Sequence, residues 1–118
     1  MPKAVVIDDK KEARELLLAY LVKEQFEVLC AETAAQGIAL VSTHKPDVVV
    51  LNMRLPDCTG IEVLTQIKEI HQEAKVVMLS GLLDDEMTSQ CLGRGAACVF
   101  SKTMGLDKIV KEIVSFAQ

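Results

Sequence analysis

Aromatic side chains are scarce in this chain of 118 residues, which has no tryptophan, one tyrosine and three phenylalanines. Half of the residues are nevertheless hydrophobic (50%). We therefore expect a core built from valine, isoleucine, leucine and alanine. A chain of this length fits one domain, and we assign residues 1–118 to a single unit.

Clusters of lysine and arginine are also absent, and the formal net charge at pH 7 is −4. Because nucleic-acid binding requires clustered cations that neutralise phosphates, direct binding to DNA or RNA is not expected. The same charge balance argues against an anionic membrane surface. The apolar run Ala4–Ile7 is too short for a signal peptide, and no segment reaches membrane-spanning length. These absences predict a cytoplasmic protein.

Paired cysteines are the third absence: no two cysteines have CxxC spacing, and no histidine stands in metal-ligand register with them. We expect all four to be small apolar side chains in a reducing compartment, namely Cys30, Cys58, Cys91 and Cys98. A disulfide stays possible in principle, although no feature of the sequence requires one.

Short apolar runs alternate along the chain with segments of helical periodicity. Because the runs lack polar alternation, they predict strands that are covered on both faces, as in a parallel sheet. The predicted strands are Ala4–Ile7, Phe26–Cys30, Val48–Leu51, Val76–Leu79 and Ala97–Phe100. Five strand–helix units of this length predict a doubly wound α/β domain with right-handed crossovers.

Three of the five predicted helices begin with the spacing of a capping box. The pairs are Asp9 with Glu12, Thr33 with Gln36, and Thr59 with Glu62. The fourth helix, from about Asp84 to Leu92, is short and weakly apolar. The fifth has the clearest amphipathic stripe, which begins at Leu106.

Polar residues follow four of the five strands, at the edge where open α/β sheets bind their ligands. They are Asp8 and Asp9 after the first strand, Asn52 after the third, Ser80 and Gly81 after the fourth, and Ser101 and Lys102 after the fifth. Two carboxylates, an amide, a hydroxyl and an ammonium group are thus predicted to converge on one small cavity.

In this order, these segments resemble the receiver domain of bacterial response regulators. The resemblance rests on VVIDD, PDVVVLNMRLPDCTGIEVL, VVMLSG and FSK, and it covers essentially the whole chain. It implies a flavodoxin-like (βα)5 fold with strand order 2-1-3-4-5 and a role in two-component phosphorelay signalling, not an enzyme. Expected partners are a sensor histidine kinase, a phosphotransfer protein or an output domain, and a homodimer is also allowed.

The resemblance implies a role for each residue at the strand ends. Asp8 and Asp9 would bind Mg²⁺ together with the backbone carbonyl of Arg54. Ser80 would be the switch hydroxyl, and Lys102 would pair with the phosphoryl group. A carboxylate at the end of the third strand would accept that group from a phosphohistidine.

The sequence departs from the family at the acceptor itself, where Asn52 stands in place of aspartate. An amide is neutral and a poor nucleophile, so we expect no acyl phosphate there and weaker Mg²⁺ binding. Val99 occupies a position that is usually aromatic, and Thr103 follows the lysine where proline is usual. With a non-proline residue there, the peptide bond is expected to be trans and the loop path to differ.

Two explanations of Asn52 compete: a natural pseudo-receiver, or an Asp→Asn substitution introduced to keep an ordinary receiver unphosphorylated. Val99 and Thr103 would not be engineered alongside it, so they favour natural drift. A third hypothesis makes Ser80 or Thr59 the acceptor, although neither hydroxyl has an evident base.

Two other classes of protein deserve comparison. A haloacid-dehalogenase-like phosphatase would use Asp8 as nucleophile, but it needs a second acid at the position of Lys10 and a late acidic pair, where only Asp107 occurs. A flavin carrier needs a hydroxyl- and glycine-rich phosphate loop after the first strand, where this chain has two acids and two lysines. Both rank below the receiver.

Overall fold

Five parallel strands form one sheet in a computed structural model that describes residues 1–117. The strands are β1 (Lys3–Ile7), β2 (Glu27–Ala31), β3 (Val48–Asn52), β4 (Lys75–Ser80) and β5 (Cys98–Ser101). Their order is β2-β1-β3-β4-β5, with every neighbouring pair parallel. The predicted fold class and strand order are confirmed; Gln118, the last residue of the assigned domain, lies outside the described residues.

Helices cover both faces of the sheet, which explains the unbroken apolar runs of the central strands. The helices are α1 (Lys11–Lys23), α2 (Ala34–His44), α3 (Gly60–Ile70), α4 (Asp85–Gly93) and α5 (Leu106–Phe116), and a short 3-10 turn spans Lys102–Met104. One face packs against α2, α3 and α4, and the other against α1 and α5. Within residues 1–117, no helix combines the length and apolarity that a membrane crossing requires.

The three central strands provide the centre of an aliphatic core, as predicted. All five residues of β3 are buried, and Met53 and Met78 fill the same core. On the edge strand β5, Val99 packs on the α2–α4 face and Phe100 on the α1–α5 face. Successive strand residues therefore point to opposite faces, as pleating requires.

Two of the three predicted capping pairs are confirmed. The Thr33 hydroxyl accepts a hydrogen bond from the Gln36 amide at 3.2 Å, and the Thr59 hydroxyl accepts one from the Glu62 amide at 3.4 Å. The start of α4 is capped by Asp84, whose carboxylate accepts the Glu86 amide at 2.8 Å.

The third pair, Asp9 with Glu12, was predicted wrongly. The N-cap of α1 is Lys10, and no side chain caps this helix. The reason lies one residue upstream, because the buried Asp8 carboxylate accepts the Lys10 amide at 2.9 Å and sets the turn out of β1. Asp9 is left exposed beside that turn.

Gly60 fixes how closely α3 lies over the end of β3. Its amide donates to the Met53 carbonyl at 2.8 Å. A Cβ added at Gly60 would stand 2.7 Å from that carbonyl oxygen and 2.8 Å from the Met53 Cα. Since both atoms belong to the backbone, they have little freedom to move aside.

We therefore predict that Gly60→Ala lowers the free energy of unfolding by about 1–3 kcal/mol, the usual cost of overpacking. Urea denaturation of the purified variant measures this. Gly93→Ala is the matched control, because nothing lies within 4 Å of the added Cβ. It should be neutral or stabilising by up to about 1 kcal/mol. Equal losses at the two glycines would contradict the close-approach explanation.

Candidate functional site

The polar residues predicted to converge all lie at the carboxyl edge of the sheet. Asp8 directly follows β1, Asn52 ends β3, Ser80 ends β4, and Lys102 directly follows β5. The strand register pairs Ile7 with Leu51 and Ser80 with Ser101. The loops that leave these parallel strands therefore meet on one side of the sheet.

An ion pair joins the first and last strands across this edge. Lys102 Nζ lies 3.2 Å from Asp8 Oδ2, and Asp8 Oδ1 accepts the Lys10 amide at 2.9 Å. Asp8 is only 2% exposed, so its carboxylate depends on these partners for compensation. Lys102 remains 30% exposed along its side chain and reaches the acid from the solvent side.

Asn52 makes a hydrogen bond that no carboxylate could make. Its Nδ2 donates to the backbone carbonyl of Arg54 at 2.7 Å, and the residue is 8% exposed. A carboxylate in the same place is an acceptor only. The Arg54 carbonyl, which the resemblance assigns to Mg²⁺, is thus engaged by the asparagine side chain.

Ser80 is bonded to its own loop. Its hydroxyl donates to the Leu82 carbonyl at 2.8 Å and accepts from the Leu82 amide at 3.3 Å. Ser80 is 6% exposed. The hydroxyl therefore fixes the backbone of the β4–α4 loop directly at the end of β4.

The donor set fits Mg²⁺ only in part. Asp8 and Asp9 supply the hard oxygen atoms that this ion prefers. However, the Asp8 carboxylate already accepts hydrogen bonds from Lys102 and from the Lys10 amide. The Arg54 carbonyl already accepts one from the Asn52 side chain. Over residues 1–117, no group of three or more histidine, cysteine, aspartate or glutamate side chains is placed to hold a metal ion.

Two residues that shape the edge were missed by sequence reasoning. Asp57 accepts the amides of Ala34 at 2.9 Å and Ala35 at 3.1 Å, which ties the β3–α3 loop to the start of α2. The hydrogen bond from the Ala34 amide is the main cause that lowers the pKa of Asp57. Arg14 of α1 donates to the Asp8 backbone carbonyl at 2.9 Å.

The chain after Lys102 forms a 3-10 turn in which every peptide bond is trans, as throughout residues 1–117. The Ser101 hydroxyl accepts the Thr103 amide at 3.2 Å and lies 2.7 Å from the Thr103 hydroxyl. Thr103 therefore contributes both an amide and a hydroxyl to a turn where the family usually has proline.

The four cysteines are free thiols. Cys91 is buried in the α2–α4 face of the core, whereas Cys30 is exposed. Burial raises the pKa of Cys98 to about 12. In Cys58 the hydrogen bond to Glu62 is the main cause that raises the pKa of the thiol.

Comparison with known proteins agrees with this geometry. Residues 4–114 match the family model of the response regulator receiver domain. The chain is 30% identical over 112 residues to chemotaxis protein CheY of Bacillus subtilis, covering 94% of this chain and 93% of that protein. It is 32% identical over 113 residues to the transcriptional regulatory protein KdpE of Mycobacterium tuberculosis, covering 96% of this chain but only 50% of that protein.

A solved structure, the CheX–CheY–BeF3–Mg²⁺ complex from Borrelia burgdorferi, has the same fold. The TM-score is 0.90 at 24% identity, covering 96% of this chain and 87% of the matched one. The sheet order defines a flavodoxin-like α/β domain. The chain belongs to the response regulator receiver domain family, and the phosphatase alternative built on Asp8 finds no support.

The ion pair gives a stability prediction. Lys102→Met should lower the free energy of unfolding by about 1–3 kcal/mol, because it leaves the buried Asp8 carboxylate without its cation. Chemical denaturation at pH 7 measures the loss. In the double variant Asp8→Asn with Lys102→Met, the loss should be smaller than the sum of the single losses.

Lys11→Met is the matched control for that experiment. Lys11 pairs with Glu15 at 3.8 Å on an exposed helix face. An exposed pair of this kind contributes roughly 0–0.5 kcal/mol. A Lys102 effect no larger than this would show that Asp8 does not rely on the ammonium group.

Proposed function

We propose that this chain is a receiver domain that acts through protein contacts and is not phosphorylated at Asn52. The observation that carries the proposal is the hydrogen bond from Asn52 Nδ2 to the Arg54 carbonyl. It supports a site in which a hydrogen-bond donor occupies the acceptor position and bonds to the backbone of the loop that follows β3.

The chemistry of the amide supports the first part of the proposal. Phosphoryl transfer to a side chain requires a nucleophile with an available lone pair and, for carboxylates, a negative charge. The amide nitrogen shares its lone pair with the carbonyl, and the side chain is neutral. Asn52 thus keeps the shape of an aspartate and lacks its reactivity.

Electrostatics support a weakened metal site. Asp8 and Asp9 contribute −2 and Lys102 contributes +1, which gives a local charge of −1; an aspartate at position 52 would make it −2. A cation would also have to displace the Asn52 amide from the Arg54 carbonyl. We propose that Mg²⁺ binds this chain more weakly than it binds a receiver with an acidic acceptor.

We take Asn52 to be natural. Val99 packs into the core on the α2–α4 face, and Thr103 completes the turn with Ser101. Both fit their surroundings, as expected of residues that have drifted together and not of a single engineered change. We further propose a cytoplasmic, non-enzymatic protein that does not bind nucleic acid or membranes directly.

The partners that we propose are a sensor histidine kinase, a phosphotransfer protein or an output domain. The chain spans about half of KdpE, which leaves room in that relative for a further domain. The Borrelia structure contains a CheY bound to CheX. A homodimer is a further proposed assembly, with no self-complementary surface yet assigned to it.

Intact mass spectrometry tests the proposal. After incubation with Mg²⁺ and acetyl phosphate, the chain as it stands should gain no phosphoryl group, because Asn52 is not a nucleophile. Asn52→Asp should gain one, and neutral hydroxylamine should remove the adduct, as it removes acyl phosphates. The unreacted chain incubated without acetyl phosphate is the control.

One result would overturn the proposal, and a second would show that Asn52 is not the only change that matters. A phosphoryl adduct on the unchanged chain that survives neutral hydroxylamine and disappears in Ser80→Ala or Thr59→Ala would make a hydroxyl the acceptor. Failure of Asn52→Asp to react would show that the site has lost more than the acceptor residue.

Metal affinity gives an independent test. Asn52→Asp should bind Mg²⁺ at least about fivefold more tightly than the unchanged chain, because one added charge in a partly buried site is worth about 1 kcal/mol or more. Amide shifts of residues 8–10 and 52–54 in NMR titrations measure this. Arg54→Lys keeps both the backbone carbonyl and the positive charge and should leave affinity unchanged. Equal affinity of the unchanged chain and Asn52→Asp would refute the electrostatic argument.

A further inference from the structure

Two adjacent leucines stand in solvent beside the site. Leu82 is 81% exposed and Leu83 is 48% exposed, in the loop that joins β4 to α4. Large apolar side chains this exposed lose the stabilisation that burial would give them. A contiguous apolar surface of this kind marks an interaction site more often than a scattered single residue does.

The site itself holds these leucines in place. The Ser80 hydroxyl makes hydrogen bonds to both the carbonyl and the amide of Leu82. Ser80 is itself buried at the end of β4. The backbone that presents the leucines is therefore anchored to the sheet and is not a frayed loop.

The neighbouring loop also exposes an apolar side chain. Ser80 and Ser101 are register partners, so the loops that follow β4 and β5 leave the sheet side by side. Met104, in the second of these loops, is 37% exposed. A third apolar side chain is thus available at the same edge.

The chain segment that carries the leucines has charges of one sign. Asp84, Asp85 and Glu86 follow directly, and no lysine or arginine occurs between Lys75 and Arg94. Asp84 caps α4, whereas Asp85 and Glu86 are exposed in its first turn. Large exposed apolar residues also lie on helices, namely Leu16, Leu18 and Val22 of α1 and Leu92 of α4. Those of α1 stand among charges of both signs.

We propose that the leucine–acid rim, residues 82–86, is a docking surface for a partner segment that presents an apolar side chain next to lysine or arginine. The leucines supply the area to be buried, and the acids select a basic partner and repel an acidic one. This inference deepens the proposed function, because it names the partner chemistry of a chain that acts through protein contacts.

A model peptide tests the surface directly. An amphipathic helical peptide made only of leucine and lysine is titrated into the full chain, and binding is measured by calorimetry and by NMR shifts. The leucine–glutamate counterpart is the peptide control. We expect the basic peptide to bind, its shifts to centre on residues 82–86, and the acidic peptide not to bind.

Matched variants distinguish binding at the rim from nonspecific binding. Leu82→Ser with Leu83→Ser should weaken binding about tenfold or more, whereas Leu16→Ser with Val22→Ser should leave it unchanged. Asp85→Asn with Glu86→Gln should weaken binding about threefold at low salt and little at high salt. Glu69→Gln with Glu73→Gln, an exposed acidic pair elsewhere, should have no such effect.

Several outcomes would overturn the inference. If the variant Leu82→Ser with Leu83→Ser still binds the basic peptide, the leucine–acid rim is not the docking surface. Leucine-dependent binding to neutral phosphatidylcholine vesicles, or leucine-dependent self-association without peptide binding, would assign the rim to a membrane or to a second copy. The acetyl phosphate experiment reads out the acceptor separately, so failure here leaves the unphosphorylated-receiver proposal standing.

Discussion

The buried Asp8 carboxylate is the constraint around which the edge of the sheet is organised. Asp8 directly follows β1 and has almost no contact with water. A charge in such a place must be compensated. Lys102 supplies the compensation from the far edge of the sheet, and the Lys10 amide adds to it. The same carboxylate sets the turn into α1, so fold and site depend on one acid.

Asn52 shows how a change of one atom can leave a fold intact and alter a site. Amide and carboxylate occupy nearly the same space, so β3 remains fully buried and paired on both sides. The difference lies in the direction of hydrogen bonding, because the amide donates to the loop carbonyl that follows it. The Arg54 carbonyl oxygen therefore has a hydrogen-bond partner two residues away in the chain.

Most of the fold could be predicted from local patterns, because uninterrupted apolar runs require cover on both faces and Thr33 and Thr59 mark helix starts. The strand-end residues could be predicted because parallel strands bring their carboxyl ends together. Asp57 could not be predicted, because it accepts hydrogen bonds from backbone amides far away in the sequence. Arg14 could not be predicted either, because it donates to a backbone carbonyl, which any residue type has. The Asp9 error had a related cause: the pattern was local, and the competing bond belonged to the buried Asp8.

The hydrogen bonds between Asp57 and the start of α2 make part of the stability of the folded chain depend on pH. Hydrogen bonds from the helix start depress the pKa of this carboxyl, so the folded chain holds its proton less readily than the unfolded chain does. The stabilisation is therefore present at neutral pH and fades once the medium becomes acidic enough to protonate the folded form. On acidification, the loop between β3 and α3 would therefore loosen from the start of α2.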